Sequence, residues 1–216
     1  MNITHAISET TDKEPLKAIF DRQKELMEKY HDIEYKSGLM QTEDCPVNLD
    51  DKKGQARIKD FAWRITEEIG EATDALKNES GETSLLHFHE ELIDGLHFLT
   101  EMTILTGYDI TEKYTLGDLI KESNLIKQNF PKENYTYDSL VANHVQYLGM
   151  MCNCLKNKPW KQTMMLTNRK NFYQHLILVW VNYVRILTSQ GLTEENILDI
   201  YFKKSQVNKF RQRSNY

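Results

Sequence analysis

Apolar residues recur every three or four positions along most of the chain, which is the period of an α-helix. The clearest segment is 55–77, where the apolar side chains fall on one helix face: Ile58, Phe61, Ala62, Ile65, Ile69, Ala72 and Leu76. Only nine glycines and four prolines interrupt the pattern, and runs of β-branched residues are scarce. The sequence therefore predicts an all-α fold in a single domain.

The same period predicts seven helices separated by polar turns. The expected helices are 16–30, 55–77, 85–106, 116–128, 137–155, 168–189 and a last one that is capped by Thr193 and runs towards Phe210. Residues 78–84 form a clear turn, and Gly107 is expected to end the third helix. Residues 1–15 are polar and are expected to be loose.

Two pairs of acidic residues interrupt the apolar pattern of the second and third helices. Glu68 and Glu71 are three residues apart, and so are Glu91 and Asp94. Residues three apart share one face of a helix, so each pair presents both carboxylates to the same side. Acids on a face that should be core are unfavourable unless positive charge is near them.

The short turn between these two helices predicts that they pack antiparallel. With the loop centre at residues 80–81, Glu68 lies level with Asp94 or the residue before it. Glu71 then lies level with Glu91 or the residue before it. Both acid pairs are therefore expected to face each other across the contact between the two helices. Glu67 and Glu90, each the neighbour of one of these acids in the doublets Glu67-Glu68 and Glu90-Glu91, are the alternatives.

Four facing carboxylates repel one another unless their pKa values rise or cations bind. Hard oxygen ligands suit Mg²⁺, or Mn²⁺, and Mg²⁺ keeps open positions that substrate phosphates can fill. The chemistry that follows is hydrolysis of a phosphoanhydride, with one carboxylate taking the proton of the attacking water. The alternative is a non-enzymatic helical scaffold whose acids form a solvated face.

Two other features favour a nucleotide ligand. Gln23 interrupts the apolar stripe of the first helix, as either a rim residue bonded to nearby backbone or an amide that contacts the polar edge of a ligand. The chain ends in a basic segment whose cations suit phosphate: Lys203, Lys204, Lys209, Arg211 and Arg213. These cations would also complement the dipole of the last helix.

Composition narrows the partners and the compartment. A net charge of −5 and a pI of about 5.8 argue against non-specific nucleic-acid binding. The three cysteines are an odd number and are expected to be reduced thiols of a cytoplasmic protein. No signal peptide is expected, because residues 1–13 contain no apolar run, and the most apolar segment, 176–187, is too short to span a membrane.

Three separated segments resemble one known family. The pairs Glu68-Ile-Gly-Glu71 and Glu91-Leu-Ile-Asp94 resemble the E-x-x-E and E-x-x-D signature of the all-α NTP pyrophosphatases, the MazG-like superfamily. Residues 91–98 are similar to the E-L-[IV]-D-x-x-H-F run of its dimeric dUTPase branch. Residues 201–216 resemble the ending of that branch, Y-x-x-K, N-x-x-R-Q and a final tyrosine, which phage dCTPase–dUTPases share.

The resemblance implies a MazG-like helical homodimer that uses Mg²⁺, with Mn²⁺ as the alternative, to hydrolyse dUTP to dUMP and pyrophosphate. It implies four metal ligands, one glutamate of which orients or deprotonates the water: Glu68, Glu71, Glu91 and Asp94. It also implies that Gln23 contacts the base and that His97 and Phe98 form walls of the nucleoside pocket. The implied phosphate contacts are Lys204, Asn208, Arg211 and Tyr216.

The resemblance covers residues 16–106 and 192–216, which are expected to form the catalytic core of one domain, 1–216. Residues 108–191 match no motif and are expected to be a variable helical insertion. Two enzymatic alternatives stay open. A combined dCTP/dUTP pyrophosphatase is one, because a glutamine side chain can flip to serve either pyrimidine. A broader MazG-type enzyme acting on other or damaged nucleotides is the other.

Overall fold

A computed structural model describes residues 14–37, 45–78, 81–129, 135–158 and 160–213. Within these ranges the chain forms seven α-helices, one 3-10 turn and no strand. The helices are α1 (Pro15–Ser37), α2 (Lys52–Asn78), α3 (Glu82–Leu105), α4 (Leu116–Asn129), α5 (Tyr137–Asn153), α6 (Arg169–Ser189) and α7 (Glu194–Arg213). The prediction of an all-α fold is confirmed. Tyr216 and most of the N-terminal segment expected to be loose lie outside the described residues.

The antiparallel pair α2 and α3 forms the centre of the molecule. The predicted apolar stripe of α2 is buried, apart from the exposed Leu76, and α3 buries Leu92, Leu96 and Leu99 against it. Gly81 precedes α3 with φ of +92°, a conformation that favours glycine. The Ser84 hydroxyl donates to the Ala75 carbonyl at 3.0 Å and fastens the start of α3 to the end of α2. This turn sets the register of the two helices.

Helices α1 and α7 pack against each other and against α3. The Thr193 hydroxyl accepts a hydrogen bond from the Asn196 amide at 3.2 Å, as a helix N-cap does. Further along α7, the Lys209 ammonium lies 2.7 Å from the Glu25 carboxylate of α1. These contacts lay the C-terminal helix alongside the first helix and bring its basic residues towards the central pair.

Helix α6 supports α3 with two large aromatic side chains that have no exposed surface. The Trp180 indole N–H donates to the Thr103 hydroxyl at 2.9 Å, and the Tyr183 hydroxyl donates to the Leu92 carbonyl at 2.6 Å. Helix α5 packs on α6 and contacts α2. The segment expected to be an insertion therefore contributes part of the core on which the acidic residues of α3 are mounted.

The first helix is longer than its apolar stripe predicted. It continues to Ser37, seven residues past the expected end at Tyr30. The extra segment contains no glycine or proline, and the next such residue is Gly38, so nothing in it terminates a helix. Cys45, Cys152 and Cys154 carry free thiols, as predicted. No helix in the described part of the chain combines the length and apolar character needed to cross a membrane.

Candidate functional site

Three of the four predicted metal ligands converge across the seam between α2 and α3. One carboxylate oxygen from each of Glu68, Glu91 and Asp94 lies within 4.8 Å of the others. Spacing of three residues places Glu91 and Asp94 on one face of α3, and the antiparallel packing brings Glu68 opposite them. Glu91 is only 9% exposed, and the other two are half-buried. The structure thus forms a compact cluster of hard oxygen donors.

The cluster is electrostatically strained when no cation is bound. Burial, and then the charges of the neighbouring carboxylates, raise the pKa of Glu68 to about 8. Burial also raises the pKa of Asp94, although the Lys204 ammonium, 2.5 Å from its Oδ2, works in the opposite direction. A divalent cation would relieve this repulsion, and three carboxylates are the donor set that Mg²⁺ or Mn²⁺ prefers.

Glu71 lies outside this group of three. It is exposed, one turn further along α2, although it is close enough for its charge to raise the pKa of Glu68. It lines a second depression, on the side of the cluster where the His87 imidazole lies 2.9 Å from Glu91. Its role as a metal ligand or base stays a prediction.

Glu67 and Glu90, the alternative acids of the two doublets, have other contacts. Glu67 accepts hydrogen bonds from Trp63 Nε1 at 2.7 Å and from Arg64 Nη1 at 2.9 Å, both on its own helix. Glu90 is exposed and lies 3.9 Å from the Lys204 ammonium. Neither belongs to the carboxylate cluster, which consists of Glu68, Glu91 and Asp94.

A cavity of about 360 Å³ adjoins the cluster, within the roughly 300–1,000 Å³ typical of small-ligand sites. Its lining combines acids, aromatic rings and the polar residues of α1 and α7: Gln23, Leu26, Tyr30, Phe61, Glu68, Asp94, His97, Phe98, Glu101, Asn208 and Arg211. Five of the predicted substrate contacts line it, namely Gln23, His97, Phe98, Asn208 and Arg211. The structure therefore brings the candidate base and phosphate contacts to the same cavity as two of the clustered acids.

Gln23 is the centre of a hydrogen-bond network that joins α1, α3 and α7. Its Oε1 accepts from the Tyr201 hydroxyl at 2.8 Å and lies 2.8 Å from His97 Nδ1, while its Nε2 donates to Glu101 Oε2 at 2.9 Å. Burial lowers the pKa of His97 to about 3, so the ring is neutral. Because Nδ1 faces the acceptor Oε1 of Gln23, the tautomer that fits this contact carries its proton on Nδ1. Gln23 is thus held by side chains at both ends of its amide, and not by neighbouring backbone.

The basic residues of α7, together with Asn208, divide into two groups. Asn208 and Arg211 line the cavity, and the Lys204 ammonium pairs with Asp94 at the edge of the carboxylate cluster. Lys203 instead pairs with Asp199 on its own helix at 2.6 Å. Lys209 pairs with Glu25, as described above. The first group therefore contains the described residues of the tail that the family resemblance assigned to phosphate.

Two residues of the Gln23 network were not singled out in the sequence. Glu101 follows Asp94 by seven residues, so both lie on one face of α3, and this spacing was a usable signal. Tyr201 opens the C-terminal family motif, and its ring stacks on His97 with centroids 3.7 Å apart. No pattern in the sequence predicted that it would meet Gln23, which is 178 residues away.

The fold and the site together define an all-α protein with a carboxylate cluster beside a cavity lined by acidic, aromatic and amide side chains. A family model described as dUTPase matches residues 15–216, and the chain belongs to that family. Comparisons with curated proteins and with solved structures give no significant match. The family assignment confirms the resemblance drawn from three short segments, and the match also extends through residues 108–191, where the sequence offered no motif. At the level of the family, the protein is a dUTP-hydrolysing enzyme.

Proposed function

We propose that this protein is a Mg²⁺-dependent dUTP diphosphatase, which hydrolyses dUTP to dUMP and pyrophosphate. The observation that carries the proposal is the cluster of Glu68, Glu91 and Asp94 beside the cavity that contains Gln23 and Arg211. Membership of the dUTPase family supports the substrate. The carboxylate cluster supports the metal, because burial and the neighbouring carboxylates raise the pKa of Glu68 and of Asp94 even with the Lys204 ammonium beside Asp94.

Glu91 and Asp94 would hold the metal together with Glu68, Glu71 or both. When bound, Mg²⁺ (or Mn²⁺) neutralises charge on the phosphates and lowers the pKa of a coordinated water. Either Glu68 or Glu71, whichever is not engaged as a ligand, takes the proton of the water that attacks the α-phosphorus. The new P–O bond forms at that phosphorus as its bond to the bridging oxygen breaks, and pyrophosphate leaves.

The residues of α7 bind the phosphates in this proposal. Arg211 and Asn208 line the cavity, and Lys204 stands between the carboxylate cluster and the solvent-exposed Glu90. A flexible ammonium group and a forked guanidinium are both suited to phosphate oxygens. Tyr216 completes this group in the family ending but lies outside the described residues.

The base binds between Gln23 and the aromatic walls of the cavity. Phe61 and Phe98 meet edge to face, with ring centroids 6.0 Å apart, and supply an apolar wall. Gln23 supplies the polar contact, and the neutral His97 holds it in place. The combination of one flat apolar wall and one oriented amide suits a pyrimidine.

The proposal also includes a homodimer in the cytoplasm. Exposed apolar side chains on α5 and α6, such as Val145, Met150 and Leu178, offer surface for a second copy. The free thiols of the three cysteines suit a reducing compartment. Light scattering coupled to gel filtration tests the dimer, because a single species of 25.5 kDa would contradict it.

The test of the activity is a panel of dNTPs, assayed for pyrophosphate and nucleoside monophosphate with Mg²⁺ or with EDTA. We expect dUTP to be turned over with Mg²⁺ only, and Glu68→Gln and Asp94→Asn to lose most of that activity. Glu122→Gln, the same chemical change at an exposed position of α4, is the matched control. Release of inorganic phosphate, or no turnover of dUTP, would refute the proposal.

The same panel separates the alternatives. Equal use of dCTP would indicate the combined dCTP/dUTP enzyme, and flat activity across bases would indicate a broader MazG-type pyrophosphatase. If Glu68→Gln and Asp94→Asn changed neither Mg²⁺ binding nor thermal stability, the acids would be surface charges of a helical scaffold.

A further inference from the structure

The amide of Gln23 has a defined orientation, and its three partners differ in how firmly they impose it. A glutamine amide presents an acceptor at Oε1 and two N–H groups at Nε2, and a flip exchanges the two ends. In the structure Oε1 faces the Tyr201 hydroxyl and His97 Nδ1, while Nε2 faces Glu101.

Tyr201 and His97 could both adapt to a flip. A tyrosine hydroxyl accepts as well as donates a hydrogen bond. A neutral imidazole can move its proton from Nδ1 to Nε2, and His97 Nε2 has no hydrogen-bond partner among the described residues that would fix the tautomer. After these two adjustments, Tyr201 and His97 could form hydrogen bonds with either end of the Gln23 amide.

Glu101 is the partner that cannot adapt. A carboxylate has acceptors only, so it pairs with Nε2 of Gln23 and would repel Oε1 of a flipped amide. The contact is 2.9 Å long and partly buried, where an unpaired or repulsive polar contact is expensive. Glu101 therefore sets which end of the amide faces which partner.

With this orientation Gln23 can offer a ligand only a donor. Its Oε1 already faces two donors and one N–H is bonded to Glu101, so the second N–H of Nε2 is left for the cavity that both residues line. Uracil carries a carbonyl oxygen at position 4, whereas cytosine carries an amino group there. A fixed N–H donor bonds the carbonyl and opposes the amino group.

We propose that Glu101 is a specificity-determining positioning residue, which holds the Gln23 amide as a donor and thereby selects uracil over cytosine. The inference rests on the proposed function for its substrate, and it adds the residue that decides between two pyrimidines. On this proposal Gln23 does not serve both bases by flipping, as a glutamine without Glu101 could.

The test compares kcat/KM for dUTP, dCTP and dTTP in the wild type, Glu101→Gln and Glu101→Ala. Both substitutions remove the carboxylate that opposes the flip, so we expect the preference for dUTP over dCTP to fall by about 10- to 100-fold. Thymine has the same carbonyl at position 4, so the ratio of dUTP to dTTP should stay unchanged. A general loss of packing would lower all three values together and would overturn the assignment.

The control and a second readout keep this inference separate from the proposed function. Glu122→Gln should leave every ratio at the wild-type value. Affinities for non-hydrolysable dUTP and dCTP analogues, measured by calorimetry, report the same preference without any turnover. Failure to hydrolyse dUTP would refute the proposed function alone. The role of Glu101 would be refuted by an unchanged dUTP-to-dCTP ratio in both folded Glu101 variants, or by equal use of dUTP and dCTP by the wild type.

Discussion

Gly95, the residue after Asp94, offers a sharp test of how α6 supports the site. A Cβ added at position 95 would overlap the Tyr183 hydroxyl oxygen and lie 3.2 Å from the Cζ of that ring and 3.4 Å from the Glu68 Cβ. Tyr183 has no exposed surface, so its ring cannot simply move into solvent. Gly95→Ala must therefore push α6 away from α3 or break the Tyr183 hydrogen bond to the Leu92 carbonyl.

The expected loss of stability follows from three contributions. Forcing an extra methyl group into a packed seam costs about 1–3 kcal/mol, and leaving the Tyr183 hydroxyl without its acceptor costs about 1–3 kcal/mol. Alanine offsets about 1 kcal/mol of this, because it is a better helix former than glycine. The free energy of unfolding should therefore fall by roughly 1–5 kcal/mol, the range that these terms leave.

The assay is urea unfolding of the wild type, Gly95→Ala, Tyr183→Phe and the double variant. Tyr183→Phe removes the oxygen that the new methyl group meets, so the double variant should be more stable than the sum of the two single changes predicts. We expect a coupling of about 1–2 kcal/mol in this cycle. Additive effects, or a Gly95→Ala variant as stable as the wild type, would show that this contact does not hold α6 against the site.

Two further predictions concern the charges of the site. Because the pKa of Glu68 is raised from 4.5 to about 8 in the folded protein, its contribution to stability is complete below pH 4.5 and is lost as the pH rises through 8. The full shift corresponds to roughly 5 kcal/mol, which solvent screening of this half-buried group reduces to about 1–2 kcal/mol. Without metal, Glu68→Gln should therefore unfold at a higher temperature than the wild type at pH 9 but not at pH 4. Parallel profiles of melting temperature against pH for the two proteins would contradict this prediction. Lys204→Met should weaken binding of a non-hydrolysable dUTP analogue by about 10- to 100-fold in calorimetry. Lys203→Met is the control and should have little effect, because the Lys203 ammonium pairs with Asp199 away from the cavity. Equal losses of affinity in the two variants would refute the phosphate role of Lys204.

Much of the carboxylate site could be predicted from the sequence because its information is local. Spacing of three residues puts two carboxylates on one helix face whatever the rest of the fold does. A short turn forces neighbouring helices to pack antiparallel, which brought Glu68 opposite Asp94. The same local argument did not separate Glu71 from the cluster, because small differences in helix rotation decide which carboxylates approach within a few ångströms.

The helix boundaries show where the pattern loses information. The apolar stripe of α1 ends at Tyr30, but the helix continues to Ser37. A stripe reports the part of a helix that is buried, and a helix can extend past its buried part until a glycine or proline ends it. The apolar pattern therefore underestimates helices that project from the core.

The sequence by itself determined the all-α class, the two acid pairs and the basic character of the last helix, since each depends on periodicity or on residue type. Only the tertiary structure decided that Tyr201 and Glu101 hold opposite ends of Gln23 and that Tyr183 lies against Gly95. These contacts join residues far apart in the chain, and they depend on how four helices rotate and slide against one another. Hydrophobic periodicity identifies the face that each helix buries, but it carries no information on which side chain of another helix meets that face.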